Sequence, residues 1–229
     1  VNPDQSSPAP PPPPSGDRSE LLVRAASDAE VWKSHVYYQQ AETWFEEDWA
    51  MVLDFISRAD FSVTIDLAAG HGRNTAKLRD LAGRVYAMDI HAENVEFCRR
   101  RFAGDPRVIP VQNRGAAFDG IADSSITFIY CFDAMVHFDL DLVRSYLHDA
   151  ARVLAPGGNA FFHHSNLTRF PGRDFRQNPH WRNFMSRELF AHFAIISGLE
   201  VVCQKVLRWG RHENFVPELD CFSLVRKPS

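Results

Sequence analysis

Hydrophobic and polar positions along the chain alternate between a helical period and short apolar runs. Phe45, Trp49, Val52 and Ile56 recur at helical spacing in AETWFEEDWAMVLDFI, which predicts an amphipathic helix over residues 41–58 lying against a sheet. The run FSVTIDLA then reads as a strand broken by two glycines in AGHGRNTAKLRDL, with a helical pattern resuming near Arg73. The unit repeats: RVYAMDI is a strand, NVEFCRRRF a helix and RVIPVQ a strand. SITFIYCF is an apolar central strand, followed by a helix whose face is Leu140, Val143, Leu147, Ala151 and Leu154. Gly157 and Gly158, beside Pro156, are expected to end that helix before a fifth strand, NAFFHHS. Ser186 is placed to cap a helix with face Leu189, Phe193 and Ile196, and LEVVCQKVLRW and ELDCFSLVRK close the chain as a hairpin-like pair. Strands alternating with helices predict a mostly parallel sheet covered by helices.

Two segments stand outside this rhythm. Residues 1–20, with five prolines at Pro10 to Pro14, read as an extended tail without a core of its own, a weak polyproline ligand being the alternative. Residues 166–185 are polar, arginine-bearing and non-periodic, and read as a loop or lid. With no internal repeat, residues 21–229 are expected to form one domain, the size that a single well-buried core supports.

Composition removes several function classes. Twenty-five Lys and Arg against 29 Asp and Glu give a formal charge of -4, so no chain-wide basic field exists to hold a nucleic acid. The apolar runs are too short to span a bilayer, and the first residues lack the basic and apolar regions of a signal peptide. Cys98, Cys131, Cys203 and Cys221 stand singly in apolar segments without CxxC spacing, as expected of buried thiols in a cytoplasmic protein.

The most informative stretch is TIDLAAGHGRN, followed by Asp89 at the end of the next strand. Gly70 and Gly72 permit a tight backbone path that lets a ligand approach a helix start, and an acidic side chain about 20 residues on accepts from ribose hydroxyls. The spacing points to a nucleoside cofactor. Thr75 stands where a dinucleotide site prefers its third glycine, which counts against NAD.

With Asp66 just upstream of the glycines, the chain resembles the class I S-adenosylmethionine-dependent methyltransferases from about Thr64 to Lys227, and RVLAPGG resembles that family's turn before strand five. The resemblance implies a Rossmann-like α/β fold: a seven-stranded, mostly parallel sheet with an antiparallel last strand and helices on both faces. It implies S-adenosylmethionine as cofactor, with Asp66 and the backbone from Ala68 through Gly70 to Gly72 at its methionine end. Asp89 would take the ribose hydroxyls, Ile90 would lie against the adenine, and the carbonyl of Asn113 would accept from the adenine amino group; Cys131 completes this expected set. Thr127 departs from the acidic residue the family often carries at the start of strand four.

The acceptor side is expected at the ends of strands four and five. Asp133 and His137, four apart, share a side if their segment is helical, and either suits proton transfer from a hydroxyl. His163 and His164 must point to opposite sides of their strand, so at most one faces the acceptor. A metal held by these groups is a nonspecific alternative, and no metal site is assigned. Tyr37 and Tyr38 are candidates to cover the site. The lid carries Arg169, Arg173, Arg176 and Arg182 with Phe170, His180 and Trp181, a mixture suited to an anionic or sugar-like acceptor, its alternative being a solvated loop; Arg173, Arg176, His180 and Trp181 are the acceptor candidates. The subgroup resembled is the small-molecule O-methyltransferases, including those of sugars and natural products. N-methylation, or a noncatalytic nucleoside-binding adaptor, is the alternative. No nucleic-acid or membrane partner is expected, and a homodimer is the base-rate expectation.

Overall fold

In a computed structural model, residues 18–33, 35–210 and 212–229 are described. Seven strands form one sheet in the order β3-β2-β1-β4-β5-β7-β6. They are β1 (Val63–Leu67), β2 (Arg84–Asp89), β3 (Val108–Gln112), β4 (Ile126–Cys131), β5 (Leu154–Ser165), β6 (Glu200–Trp209) and β7 (Val216–Arg226). β1 to β5 pair in parallel, and β7 runs antiparallel between β5 and β6. The strand order reverses between β1 and β4, which opens a crevice beyond their carboxyl ends.

Alternation along the central strands assigns the two faces. Ile129, Cys131, Ala160 and Phe162 point into a core shared with α6 (Leu140–Val153) and α7 (Arg187–Ile196). Phe128, Tyr130 and Phe161 point the other way, into a core shared with α3 (Phe45–Ile56) and α4 (Arg73–Leu81), while α5 (Ala92–Arg101) packs Cys98 beside Ala87 and Val108. Ser186 caps α7 by accepting from the Leu189 amide at 3.1 Å.

The amino-terminal region differs from expectation. The predicted helix over 41–58 is two helices, α2 (His35–Thr43) and α3, parted at Trp44, where Glu46, Glu47 and Asp48 favour a new helix start through the helix dipole. Residues 1–17, most of the expected tail, lie outside the described residues; Arg18 to Glu20 are not tail but the first turn of α1 (Arg18–Ala29). A 3-10 turn, Glu30–Trp32, follows α1.

Other local expectations shift for physical reasons. Gly157 and Gly158 do not end α6, because Leu154 already pairs with Ile126; they lie in an irregularity inside β5, where Gly157 takes φ 79°. Residues 166–185 contain two 3-10 turns, Phe175–Gln177 and Pro179–Trp181, and a bridge between Leu167 and Phe184. Cys203 is exposed rather than buried, because β6 is the sheet edge. Among the described residues no helix is long and apolar enough to cross a membrane.

At the end of β1 the chain turns through three residues of positive φ, Ala68 (58°), Gly70 (55°) and Gly72 (81°). Ala68 carries a Cβ in a region that disfavours one. Ala68→Gly is expected to raise the unfolding free energy by up to about 1 kcal/mol, less the added entropy of the unfolded glycine, as read from urea denaturation.

Candidate functional site

The turn after β1 delivers α4 with its amino terminus at the crevice. Asp66 is fully buried; one of its oxygens accepts from the Thr75 hydroxyl at 2.6 Å and the other has no partner. Burial pushes its carboxyl up to about 7. The buried side-chain oxygen of Asn74, on the first turn of α4, is likewise unpaired. At the end of β2, Asp89 accepts from the Gly70 amide (2.8 Å) on Oδ2 and from the His91 amide (2.9 Å) and Asn94 Nδ2 (3.1 Å) on Oδ1. Asn113 donates through Nδ2 to Tyr146 (2.9 Å) and to the Ala117 carbonyl (3.2 Å).

One pocket joins the glycine turn, Asn74, Asp89 and Asn113 to the turn after β4; the buried Asp66 carboxylate does not line it. It encloses about 1070 Å³ of space including its open mouth. Ala68, Gly70, Asn74, Asp89, Ile90 and Asn113 line one end, and Phe132, Asp133, His137 and Phe138 the other. The roof comes from α1, the turn at Trp32, and α2. Tyr38 packs so closely on Gly70 that a Cβ there would lie 2.5 Å from the ring, and its hydroxyl accepts from Asn94 at 2.9 Å.

At the far end Asp133 and His137 come together, but not on a helix. Asp133 has φ 54°, and the 3-10 turn Met135–His137 carries the histidine. Asp133 accepts from the Tyr37 hydroxyl (3.1 Å) and from Arg182 (3.4 Å). Arg182 in turn donates to both oxygens of Asp220, at 3.0 and 2.7 Å, and lies over Trp209. Asp220 accepts from His163 Nε2 at 2.9 Å, while His163 Nδ1 accepts from the Asp133 amide at 3.2 Å, which fixes the histidine tautomer. Burial alone would raise the Asp133 carboxyl, but the adjacent Arg182 guanidinium holds it below the usual carboxylate range. His137 Nδ1 donates to the Trp181 carbonyl at 2.6 Å, so the neutral ring carries its lone pair on Nε2; burial, with help from Arg182, depresses the ring to about 3.

The remaining predicted residues lie elsewhere. His163 is beneath Asp133 and does not line the pocket. His164 points to the opposite face of β5, stacked on Phe190 at 4.0 Å and bonded to Ser223. Cys131 faces the α6 core. Arg173 packs over Phe170, Arg176 pairs with Asp28 and Asp174, and His180 bonds the Asn214 carbonyl, all outside the pocket wall. Trp181 contributes its carbonyl to His137 and packs its ring near Trp32. Sequence reasoning passed over Trp32, Asp28 and Asp220; an acidic residue inside the apolar run LDCFSLV was the one signal for the last.

His137 and His164 are both held neutral, with folded values of about 3. Unfolded histidine titrates near about 6.5, so the unfolded chain gains protons first as pH falls and stability declines from about 6.5 toward about 3. Each contributes a slope of at most about 1.4 kcal/mol per pH unit in that window. His164→Gln is expected to flatten the stability profile by close to one proton between about pH 4.5 and 6.5, measured by urea unfolding at successive pH values.

The comparisons with known proteins accord with this geometry. A family model described as a methyltransferase domain matches residues 64–158. No curated protein matches the chain. Among solved structures, an S-adenosylmethionine-dependent methyltransferase from Leishmania major is similar at 16% identity and TM-score 0.68, over 90% of this chain and 82% of that one. A structure described as a methyltransferase from Bacillus halodurans is similar at 16% identity and TM-score 0.63, over 80% of this chain and 100% of its own. A [4+2]-cyclase is similar at 15% identity and TM-score 0.63, over 83% and 82%, so the same fold also serves other chemistry. The chain thus has a Rossmann-like α/β fold shared with these structures, and residues 64–158 of it match the methyltransferase-domain model.

Proposed function

We propose that this protein transfers the methyl group of S-adenosylmethionine to a hydroxyl of a small molecule held beside His137 and Asp133, leaving S-adenosylhomocysteine. One observation carries the reading: a single pocket runs from the glycine turn and Asp89 to the Asp133–His137 pair.

The first end suits the cofactor by its unmet hydrogen bonds. The unpaired side-chain oxygen of Asn74, which lines the pocket, offers an acceptor to an ammonium group, with the unpaired oxygen of Asp66 buried behind it. Asp89 Oδ2 has accepted one hydrogen bond and has capacity for a ribose hydroxyl. Ile90 packs directly on Gly115, where a Cβ would lie 2.5 Å from its Cδ1, and presents an apolar surface to the pocket against which a flat base can lie. Both protons of the Asn113 amide are used within the protein, which leaves its carbonyl as the group to meet an adenine amino donor.

When bound, the cofactor supplies an electrophilic methyl whose bond to sulfur breaks, with its electron pair going to sulfur, as the acceptor oxygen bonds to carbon. The protein's share is to place that oxygen, exclude water and take the hydroxyl proton. His137 Nε2 is the acceptor for the proton, because Nδ1 is already committed to Trp181. Asp133, kept ionised by Arg182, offsets the positive charge that then forms on the ring. Tyr37 fixes one carboxylate oxygen from the roof.

His137→Ala is expected to lower kcat by about 10²- to 10⁴-fold while leaving the affinity for S-adenosylhomocysteine nearly unchanged. Asp89→Ala is expected to weaken that affinity by about 10- to 100-fold, read by isothermal titration. The direct test incubates protein, methyl-deuterated S-adenosylmethionine and a metabolite extract, then seeks labelled products by mass spectrometry. Labelling on nitrogen, or unchanged turnover in His137→Ala, would replace the hydroxyl assignment.

A further inference from the structure

We propose that the acceptor is an uncharged, ring-shaped hydroxyl compound stacked against Trp32, Tyr37 and His137, and that the carboxylates around the pocket exclude anionic acceptors. The proposal rests on the methyl-transfer reading and names the substrate class of the same site.

The far end of the pocket is built from rings. Trp32 lies 4.3 Å from His137 at 35° and 5.3 Å from Tyr37, centroid to centroid, and Trp181 backs it at 5.4 Å. Phe132 and Phe138 continue this wall. Such a surface gains contact area and orientation from the flat face of an arene or the C–H face of a sugar ring.

Carboxylates outnumber cations in the lining. Asp28, Glu42, Asp89 and Asp133 line the pocket, and Arg73 is the lysine- or arginine-type cation among its described lining residues. Arg182 does not line it and is held between Asp220 and Asp133. Arg173 and Arg176, the residues that suggested an anionic acceptor, lie outside the wall. Burial of Asp28 raises its carboxyl, and Arg176 pairs with it from the lid at 3.7 Å. An entering phosphate or carboxylate would therefore find Arg176 and Arg182 already engaged by Asp28 and Asp133 and would have to compete with those carboxylates.

An ammonium acceptor is disfavoured for a different reason. Asp133 would attract it but also hold its proton, and the nucleophile needs that lone pair. A hydroxyl needs a proton acceptor with an available lone pair beside it, and His137 Nε2 provides one. The shared chemistry covers two sources, a phenol and a neutral glycoside, which the same measurement separates.

The test is isothermal titration of the full chain saturated with S-adenosylhomocysteine. The probes are phenyl β-glucoside against its 6-phosphate, and 4-methylphenol against 4-hydroxybenzoate and tyramine. The expected result is that the neutral member of at least one set binds at least about tenfold more tightly than its anionic partner. Asp28→Asn should narrow that gap, and Trp32→Ala should weaken the neutral ligand by at least about tenfold, with Trp32→Phe restoring most of the loss. Equal or tighter binding of an anionic member, tighter binding of tyramine, or no binding of any probe to protein that holds S-adenosylhomocysteine would overturn the proposal. Label transfer from methyl-deuterated cofactor is read separately. Charge selection without labelled product would count against methyl transfer, and labelled product with an anionic preference against the substrate class.

Discussion

The site depends on one buried guanidinium. Arg182 is 3% exposed at its side chain, yet it carries a full charge, so it is tolerable there only because Asp220 and Asp133 surround it. That constraint draws together the loop before α7, the strand β7 and the turn after β4, three parts of the chain far apart in sequence. His163 closes the arrangement from β5 by bonding Asp220 with one nitrogen and the Asp133 amide with the other. Asp133 can hold a positive φ because its amide and both carboxylate oxygens are fixed from different elements. The ionised carboxylate beside His137 is thus a product of the whole carboxyl edge of the sheet.

This explains which parts of the site could be read from sequence. The glycine turn is local: β1, two glycines and the start of α4 lie within some ten residues, and Asp89 ends the next strand in register beside it. Period and glycine spacing suffice for such features. The alternation in FIYC and AFFHH likewise sends His163 and His164 to opposite faces of their strand by period alone. Arg182 and Asp220 could not be paired this way, because their partnership is set by packing between a non-periodic loop and the strand inserted between β5 and β6.

The arginine-rich loop shows the same limit from the other side. Its composition suggested a positively charged acceptor surface, but three arginines of one segment take different fates. Arg182 is buried against carboxylates, Arg176 bridges to Asp28 on α1, and Arg173 lies over Phe170 at the surface. Charge content alone does not tell whether a guanidinium faces a ligand or a carboxylate of its own chain. The helix α1 was hidden for a related reason: its buried contribution to the described core is Ala25, too small to mark a face.

The roof over the pocket is attached differently from the rest of the molecule. Its apolar attachments are a small cluster around Ala25, Ala116 and Leu142 and the ring contacts of Trp32 and Tyr38, and the rest are polar: Arg24 to Asp139 and Asp141, Asp28 to Arg176, Tyr38 to Asn94, and Glu42 to Arg101. Surface ion pairs of this kind contribute little each, whereas the sheet beneath is held by two extensive apolar cores. Displacing α1 and α2 therefore costs less than disturbing the strands. Because Trp32 and Tyr37 belong to that roof, one segment supplies both the aromatic wall and the third partner of Asp133. The roof thus ties the aromatic wall to the positioning of the carboxylate beside His137.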